Sequence, residues 1–405
     1  MNTHRWSSAR WGVLALATLT NTLVVAAPGM VMPVLFAEIS ADLNLNLVQL
    51  GAVWGISSLP MIVTSLAGGA VGDRFGPRRV LVAACLLAGV TGALRGLSGG
   101  FTALAVTMFL FGAVSPMITM NNLKACGMWF PREQLGLASG FLSLGMALGF
   151  LLGSLLGATV LSPWLGGWRA VLFFFGAVSL ELALPWLFIP DPQPHPDVAA
   201  TPQGSFSLRE GVAHVARLRP IWLFGLTIFG VSGCLQGALG YLPLYLRGQG
   251  WPPASADGAL AAFHTVSMAF VLPIALGSDR LGERRWVLVG AGLMMTAGVA
   301  LLSVAQGGWV WLAVCLAGIV RDGFMAVFLT SVIETRGVGL AYAGTATGMV
   351  MVFSGLGNLV APPIGNSLAA VAPGLPFVFW AGLMALGVAS LMINRPPRQT
   401  PGLRG

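Results

Sequence analysis

Charge is what this chain has least of. Only 8% of its 405 residues are Asp, Glu, Lys or Arg, and Lys124 is its single lysine. Soluble domains carry about 25% charged residues, so a soluble globular fold is excluded. Cysteine is scarce too. Cys85, Cys126, Cys234 and Cys315 stand alone within or at the ends of apolar segments, with no C-x-x-C pair. That excludes a thiolate metal site and leaves them as small packing residues. No H-E-x-x-H occurs, and because the one lysine follows Leu123 there is no G-x-x-x-x-G-K-[ST]. A metalloenzyme and an ATP-driven pump within this chain are therefore excluded, and no cofactor or metal is expected. The net charge of +8 comes without a dense basic patch or interleaved surface aromatics, so nucleic acid is not an expected partner.

What is present is apolar. The chain is 56% hydrophobic with a mean hydropathy of +0.84, in recurring runs of about 20 residues or more, the length that crosses a bilayer. Twelve spans are expected, near 11–36, 48–71, 80–98, 101–123, 134–160, 168–189, 220–246, 256–277, 286–305, 308–333, 338–366 and 374–393. The N-terminal run is too long for a signal-peptide core and reads as a retained first span. Between the sixth and seventh spans, Asp191-Pro192-Gln193-Pro194-His195-Pro196-Asp197 opens a polar, proline-rich stretch that cannot cross lipid. The expected organisation is an all-α integral membrane protein. It has a six-helix bundle over 1–190, a cytoplasmic linker over 191–219, and a second bundle with a short tail over 220–405. The 55 glycines are spread over the spans and fit helices that pack backbone to backbone.

Seventeen of the 21 cations fall in the N-terminus, the even-numbered hairpins, the linker and the tail. By the positive-inside bias both termini are expected in the cytoplasm, in an inner or plasma membrane. Arg95, Arg169 and Arg247 lie near outer ends; Arg95 is expected to snorkel to the interface, and Lys124 to serve topology.

One stretch organises the rest. Gly69-Ala70-Val71-Gly72-Asp73-Arg74-Phe75-Gly76-Pro77-Arg78-Arg79 is too charged for lipid and must be a sharp hairpin at the membrane surface. Gly72 and Gly76 let two helix ends approach, and Pro77 suits a first helical turn. Its D-R-x-G-x-R-R core returns at Asp279-Arg280-Leu281-Gly282-Glu283-Arg284-Arg285, again just after a glycine (Gly277), with Asp279 206 positions after Asp73. Gly140, Gly149 and Gly157 of span five likewise return as Gly348, Gly357 and Gly365 of span eleven, 208 positions on. The chain is built twice, as parallel repeats about an axis along the membrane normal.

On these residues the chain resembles the major facilitator superfamily of secondary transporters, whose signature hairpin lies between spans two and three with a degenerate copy between eight and nine. The resemblance covers about Trp11 to Asn394. It implies that Gly69, Asp73, Arg74, Gly76 and Arg78, with Asp279 and Arg280 in the copy, act in conformational gating. Asp73 and Arg74 would hold spans two and eleven together on the cytoplasmic side, near the N-terminal end of span eleven at Val338 to Tyr342. Fixing topology by positive charge is the alternative. Asn121-Asn122-Leu123-Lys124 and Trp129-Phe130-Pro131-Arg132-Glu133 look like a segment of the small-anion branches, nitrate/nitrite porters and the cyanate/nitroimidazole group. This chain departs from the porters in lacking a mid-depth arginine in spans two and eight. It also has Met108 where proton-coupled relatives often carry an arginine, four residues before Gly112.

Few ionisable residues lie in the spans, and such residues usually face a cavity or a partner. Arg321, in span ten, is the first choice for a substrate contact, since a guanidinium stays charged and offers a rigid fork of donors. Asp322 or Glu181 could instead neutralise it as a structural pair. Neighbours on a regular helix diverge by about 100°, so Arg321 and Asp322 are not expected to face one spot. Asp322 and Glu181 are the candidates for proton coupling. His264, Asn21, Gln236 and Asn358 are further candidate substrate contacts, with packing or bonds to a neighbouring helix as the alternative. The expected function is secondary active transport of a small organic or inorganic anion by rocker-switch alternating access, with proton coupling left open, in a functional monomer. Efflux of a hydrophobic compound, favoured if some of the 17 methionines and 13 tryptophans line the cavity, is the alternative.

Overall fold

The computed structural model describes residues 3–131, 134–190, 208–281 and 284–393. Among them there is no strand. The helices join into twelve rods, and eleven of these are long and apolar enough to cross a membrane. Span one runs through Thr3–Thr20, a π turn at Asn21–Ala26 and Ala27–Leu43. Span two is Leu47–Ile56 and Ser58–Phe75. Spans three and four are Pro77–Gly96 and Phe101–Trp129. Span five is Leu135–Leu156, a π turn at Gly157–Leu161 and Ser162–Leu165; span six is Trp168–Phe188. Then follow span seven at Arg219–Gly248, eight at Pro253–Leu281, nine at Arg284–Leu302, ten at Gly308–Ile319 and Arg321–Ile333, eleven at Gly339–Leu368 and twelve at Leu375–Ile393.

Local chemistry explains the ends. Asn46 and Gln49 form a reciprocal capping box at the start of span two: Gln49 N donates to Asn46 Oδ1 at 2.9 Å and Asn46 N donates to Gln49 Oε1 at 3.0 Å. The hairpin after span two turns at Gly76, whose φ of 83° suits glycine, and Pro77 opens the next helix. Rods overrun the apolar segments at several ends, because a helix continues through polar residues until a cap or turn stops it.

The repeat is visible in packing. Gly149 seats span five on span one, against Thr22 and Ala26; Gly357 seats span eleven on span seven, against Phe229 and Gly233. Arg78 donates from the first hairpin to the Trp186 carbonyl at 3.2 Å and to that of Leu187, satisfying the end of span six. Arg285 does the same for span twelve through the Leu391 carbonyl at 3.1 Å and that of Met392. Each arginine supplies donors to carbonyls that a helix end leaves unpaired.

The described end of the linker is itself ordered. Leu208–Ala216 is a helix, and His214 Nε2 lies 2.8 Å from the Gly337 carbonyl while its ring stacks on Tyr342 at 4.3 Å. The N-terminal end of span eleven is thus covered by this helix.

Candidate transport site and its closure

Spans one to six and seven to twelve meet on the side away from the charged hairpins. Trp54 Nε1 donates to the Gln236 carbonyl at 2.8 Å, and Asn366 Nδ2 to the Leu47 carbonyl at 2.8 Å. Gly51 and Gly55 of span two lie directly on the span-eleven backbone. A Cβ at Gly51 would stand 2.8 Å from the Pro362 carbonyl, and one at Gly55 2.6 Å from that of Leu359. Only the absence of side chains permits this approach. Arg247 completes the closure: Nη1 donates to the Val34 carbonyl of span one at 2.9 Å, and Nη2 reaches both Asp257 oxygens at 2.7 Å. Asp257 is fully buried, so its charge depends on that guanidinium. Toward the hairpins, the described ion pairs stay within each set of six spans. Lys124 meets Asp73 at 2.6 Å, and Arg284 meets Glu334. The side away from the hairpins is closed in this state.

Midway along the seam lies a polar cluster. Span ten breaks at Val320 (φ −96°, ψ −9°), so Arg321 and Asp322 open a new helical segment. This corrects the expectation that the two diverge: Arg321 Nη1 sits 3.2 Å from Asp322 Oδ1. The long guanidinium stem folds back over the break. Ser267 Oγ of span eight donates to Asp322 Oδ2 at 2.6 Å. The guanidinium carbon lies 5.5 Å from the Phe150 ring centre and 6.0 Å from that of Phe263. Phe150 comes from span five and also packs on His264 at 5.2 Å. His264 is buried, and neither of its ring nitrogens has a hydrogen-bond partner. Arg321 and Asp322 are partly open, at 22% and 35% side-chain exposure. Apart from the Asp322 contact, no described protein acceptor takes the guanidinium donors, which leaves a positive fork free to meet an anion.

The structure thus brings together Arg321, Asp322 and His264. It also adds Ser267, Phe150 and Phe263, which the sequence reading did not single out. The other expected contacts lie elsewhere. Asn21 is buried against neighbouring helices, donating to the Leu142 carbonyl at 3.3 Å and accepting from Asn122 at 2.7 Å. Gln236 belongs to the closure beside Trp54, with Nε2 at 3.5 Å from its carbonyl. Asn358 is half-buried on span eleven, and its carbonyl lies next to Gly55. Glu181 is exposed on span six, which packs within the first six spans. In the first hairpin, Asp73 pairs with Lys124 of span four, Gly72 packs on Asn121, Gly76 makes the turn and Arg74 lies over the Phe75 ring at 5.3 Å. The side chains of Asp279 and Arg280, and the surroundings of Gly69, lie outside the described residues.

Arg95 does not snorkel. It is fully buried, on one face of span three with Ala88, Thr91 and Gly92. Nη1 donates to the Pro28 carbonyl at 2.9 Å and lies 3.9 Å from Met108 Sδ; the guanidinium stacks 3.9 Å over Phe111. Carbonyl and ring face stand where water would around much of the charge, while Nη2 has no hydrogen-bond partner. A guanidinium therefore stands beside Met108 although span four carries none there. The signal was available in sequence: the small residues at Ala88 and Gly92 mark the inward face that Arg95 shares.

Comparison with known proteins agrees on the architecture. The Major Facilitator Superfamily profile matches residues 14–344. A probable sulfoacetate transporter, SauU of Cupriavidus necator, is 28% identical over 388 residues, covering 88% of this chain and 87% of that one. A probable nitrate/nitrite antiporter, NarK1 of Thermus thermophilus, is 25% identical, with 95% and 90% covered. The 3-(3-hydroxy-phenyl)propionate transporter of Escherichia coli is 26% identical, with 94% and 92% covered. Among solved structures, a point mutant of the nucleoside transporter NupG superposes with a TM-score of 0.78 at 15% identity, covering 94% and 99%. An inward-facing bacterial homologue of the human lysosomal transporter Spinster superposes at 0.76 and 18%, covering 95% and 94%. This chain is a multi-pass membrane transporter, not an enzyme, and it belongs to the Major Facilitator Superfamily.

Proposed function

We propose that this protein is a secondary active transporter of a small organic or inorganic anion, working by alternating access between bundles 1–190 and 220–405 joined by the linker, with both termini cytoplasmic. The observation that carries the reading is the Arg321–Asp322–Ser267 cluster at the break of span ten, partly open and facing Phe150 of the other bundle. Three relatives named for anionic solutes, sulfoacetate, nitrate/nitrite and a phenylpropionate, support it.

The same pair suggests how a proton enters. Asp322 and a substrate anion compete for one guanidinium. Protonating Asp322 removes its charge and releases Arg321 to the anion, so anion and proton load together with no net charge left uncompensated in a low-dielectric site. Ser267 remains beside either form of Asp322, as donor to the carboxylate or acceptor from the acid. Rocking the bundles would carry Phe150 away from Arg321 and His264 and change the side from which they are reached.

Uptake of labelled carboxylates, sulfonates, nitrate and cyanate into proteoliposomes, with and without a pH gradient, tests the reading. Anion uptake abolished in Arg321→Ala and partly kept in Arg321→Lys is the expected result. Uptake of no anion, with export of hydrophobic dyes instead, would overturn it in favour of efflux.

A further inference from the structure

The first hairpin carries more positive charge than its described carboxylate neutralises. Arg78 is occupied in capping span six, and Asp73 is taken by Lys124. Arg74 and Arg79 are exposed, and no carboxylate pairs with either among the described residues. In the second hairpin, by contrast, Arg284 is paired with Glu334.

Those guanidinium groups border a recess of about 320 Å³ whose inner wall includes Trp129, Trp186 and Ile189. Trp129, Ile189 and Pro190 are shared with a second, larger recess of about 600 Å³. This one is a groove between spans one and six, walled by Gly12, Leu16, Leu184 and Phe188 among others. From Ala9 to Leu16 it descends about 10 Å at the helical rise. It opens on the outer wall of the protein, where Phe188 is 83% and Leu184 54% exposed, away from the seam that holds Arg321. A cationic rim at the membrane surface therefore runs into an apolar trough directed into the hydrocarbon. Free phosphate would have no use for the trough, and a hydrophobic peptide none for the rim.

We propose that this paired recess is a binding site for one anionic phospholipid, its phosphate between Arg74 and Arg79 and an acyl chain along Gly12 and Leu16 of span one. Charge complementarity selects the headgroup, and removal of apolar surface from contact with polar headgroups holds the chain. Because Arg74 and Arg79 flank the turn at Gly76, a bound headgroup would tie the bilayer to the hairpin that pairs with span four through Asp73 and Lys124.

Native mass spectrometry of the full-length protein in detergent, titrated with phosphatidylglycerol or phosphatidylcholine of the same acyl chains, tests this. Two variants separate rim from trough. Arg74→Gln with Arg79→Gln removes the charge without touching Arg78. Gly12→Leu fills the groove where a Cβ meets nothing within 4 Å, so folding is spared. Wild type is expected to retain one phosphatidylglycerol in preference to phosphatidylcholine. The double arginine variant should bind phosphatidylglycerol about twenty-five-fold more weakly, roughly fivefold for each arginine, and lose the preference. Gly12→Leu should weaken both lipids while the preference remains. Equal retention of the two lipids by wild type would overturn the proposal. So would displacement of phosphatidylglycerol by millimolar inorganic phosphate, or unchanged binding in Gly12→Leu, which would mean that the groove is covered by another segment of the chain.

Discussion

Gly55→Ala is the sharpest probe of the closure. The added Cβ would lie 2.6 Å from the Leu359 oxygen and 2.9 Å from that of Asn358, whereas an ordinary contact needs about 3.4 Å or more. Both obstacles are backbone, so no rotamer relieves them, and spans two and eleven must part by nearly 1 Å. Overpacking of this kind costs about 1–3 kcal/mol. The cost falls only on the state closed on this side, since opening it separates the two spans. Populations should therefore shift by a factor of about 5 to 150 toward the open form, at 1.4 kcal/mol for each tenfold. Spin labels at Val48 and Val371, both exposed at this end of spans two and eleven, would read the change by pulsed electron resonance. The background would lack Cys85, Cys126, Cys234 and Cys315. Gly55→Ala should enlarge the long-distance population. Gly140→Ala, whose Cβ meets nothing within 4 Å, should leave it unchanged. An identical distance distribution in wild type and Gly55→Ala would refute the reasoning.

Other substitutions separate stability from state. Gly149→Ala places a Cβ against Thr22 and Ala26 of span one, a contact within the first six spans and present in every state, so it should lower the melting temperature by about 1–3 kcal/mol worth of stability. Arg247→Ala leaves the buried Asp257 carboxylate without its partner and should cost about 3–5 kcal/mol, read as lost thermal stability; Asp257→Asn should cost less, because Arg247 keeps the Val34 carbonyl. Asp73→Asn breaks an ion pair whose Asp is 66% exposed, so thermal stability should move by no more than about 1 kcal/mol; a larger loss would make the pair structural. Under the proposed coupling, Asp322→Asn should keep anion exchange but lose acceleration of uptake by a proton gradient, which flux measured at fixed and at stepped pH would show.

The apolar runs and the doubled hairpin were enough to read the twelve rods and the repeat. Those features follow from the solvent: lipid demands long apolar helices, and charge must stay outside it. Arg78 and Arg285 perform the same capping in the two hairpins although the motif aligns Arg78 with Arg284, so the role is kept while the position shifts by one residue. What the sequence left hidden depends on departures from a regular helix. Projected on an ideal helix, Arg321 and Asp322 point apart, yet the break at Val320 lets one side chain fold onto the other. Nothing in the sequence near Val320 announces the break as a proline would. Arg95 was misplaced for a different reason. Its position near an outer end suggested the interface, but the face it shares with Ala88 and Gly92 is turned inward. There the Pro28 carbonyl and the Phe111 ring supply what water would have given. Depth along a span is legible from hydropathy; rotation about its axis must be read from the small residues. The two arginines, one buried and one partly open, then differ in kind. Arg95 turns Nη1 and its guanidinium face to backbone and ring, whereas Arg321 is paired with the Asp322 carboxylate. Of the two, only Arg321 is both partly open and paired with a carboxylate, which is the arrangement the proposed anion site requires.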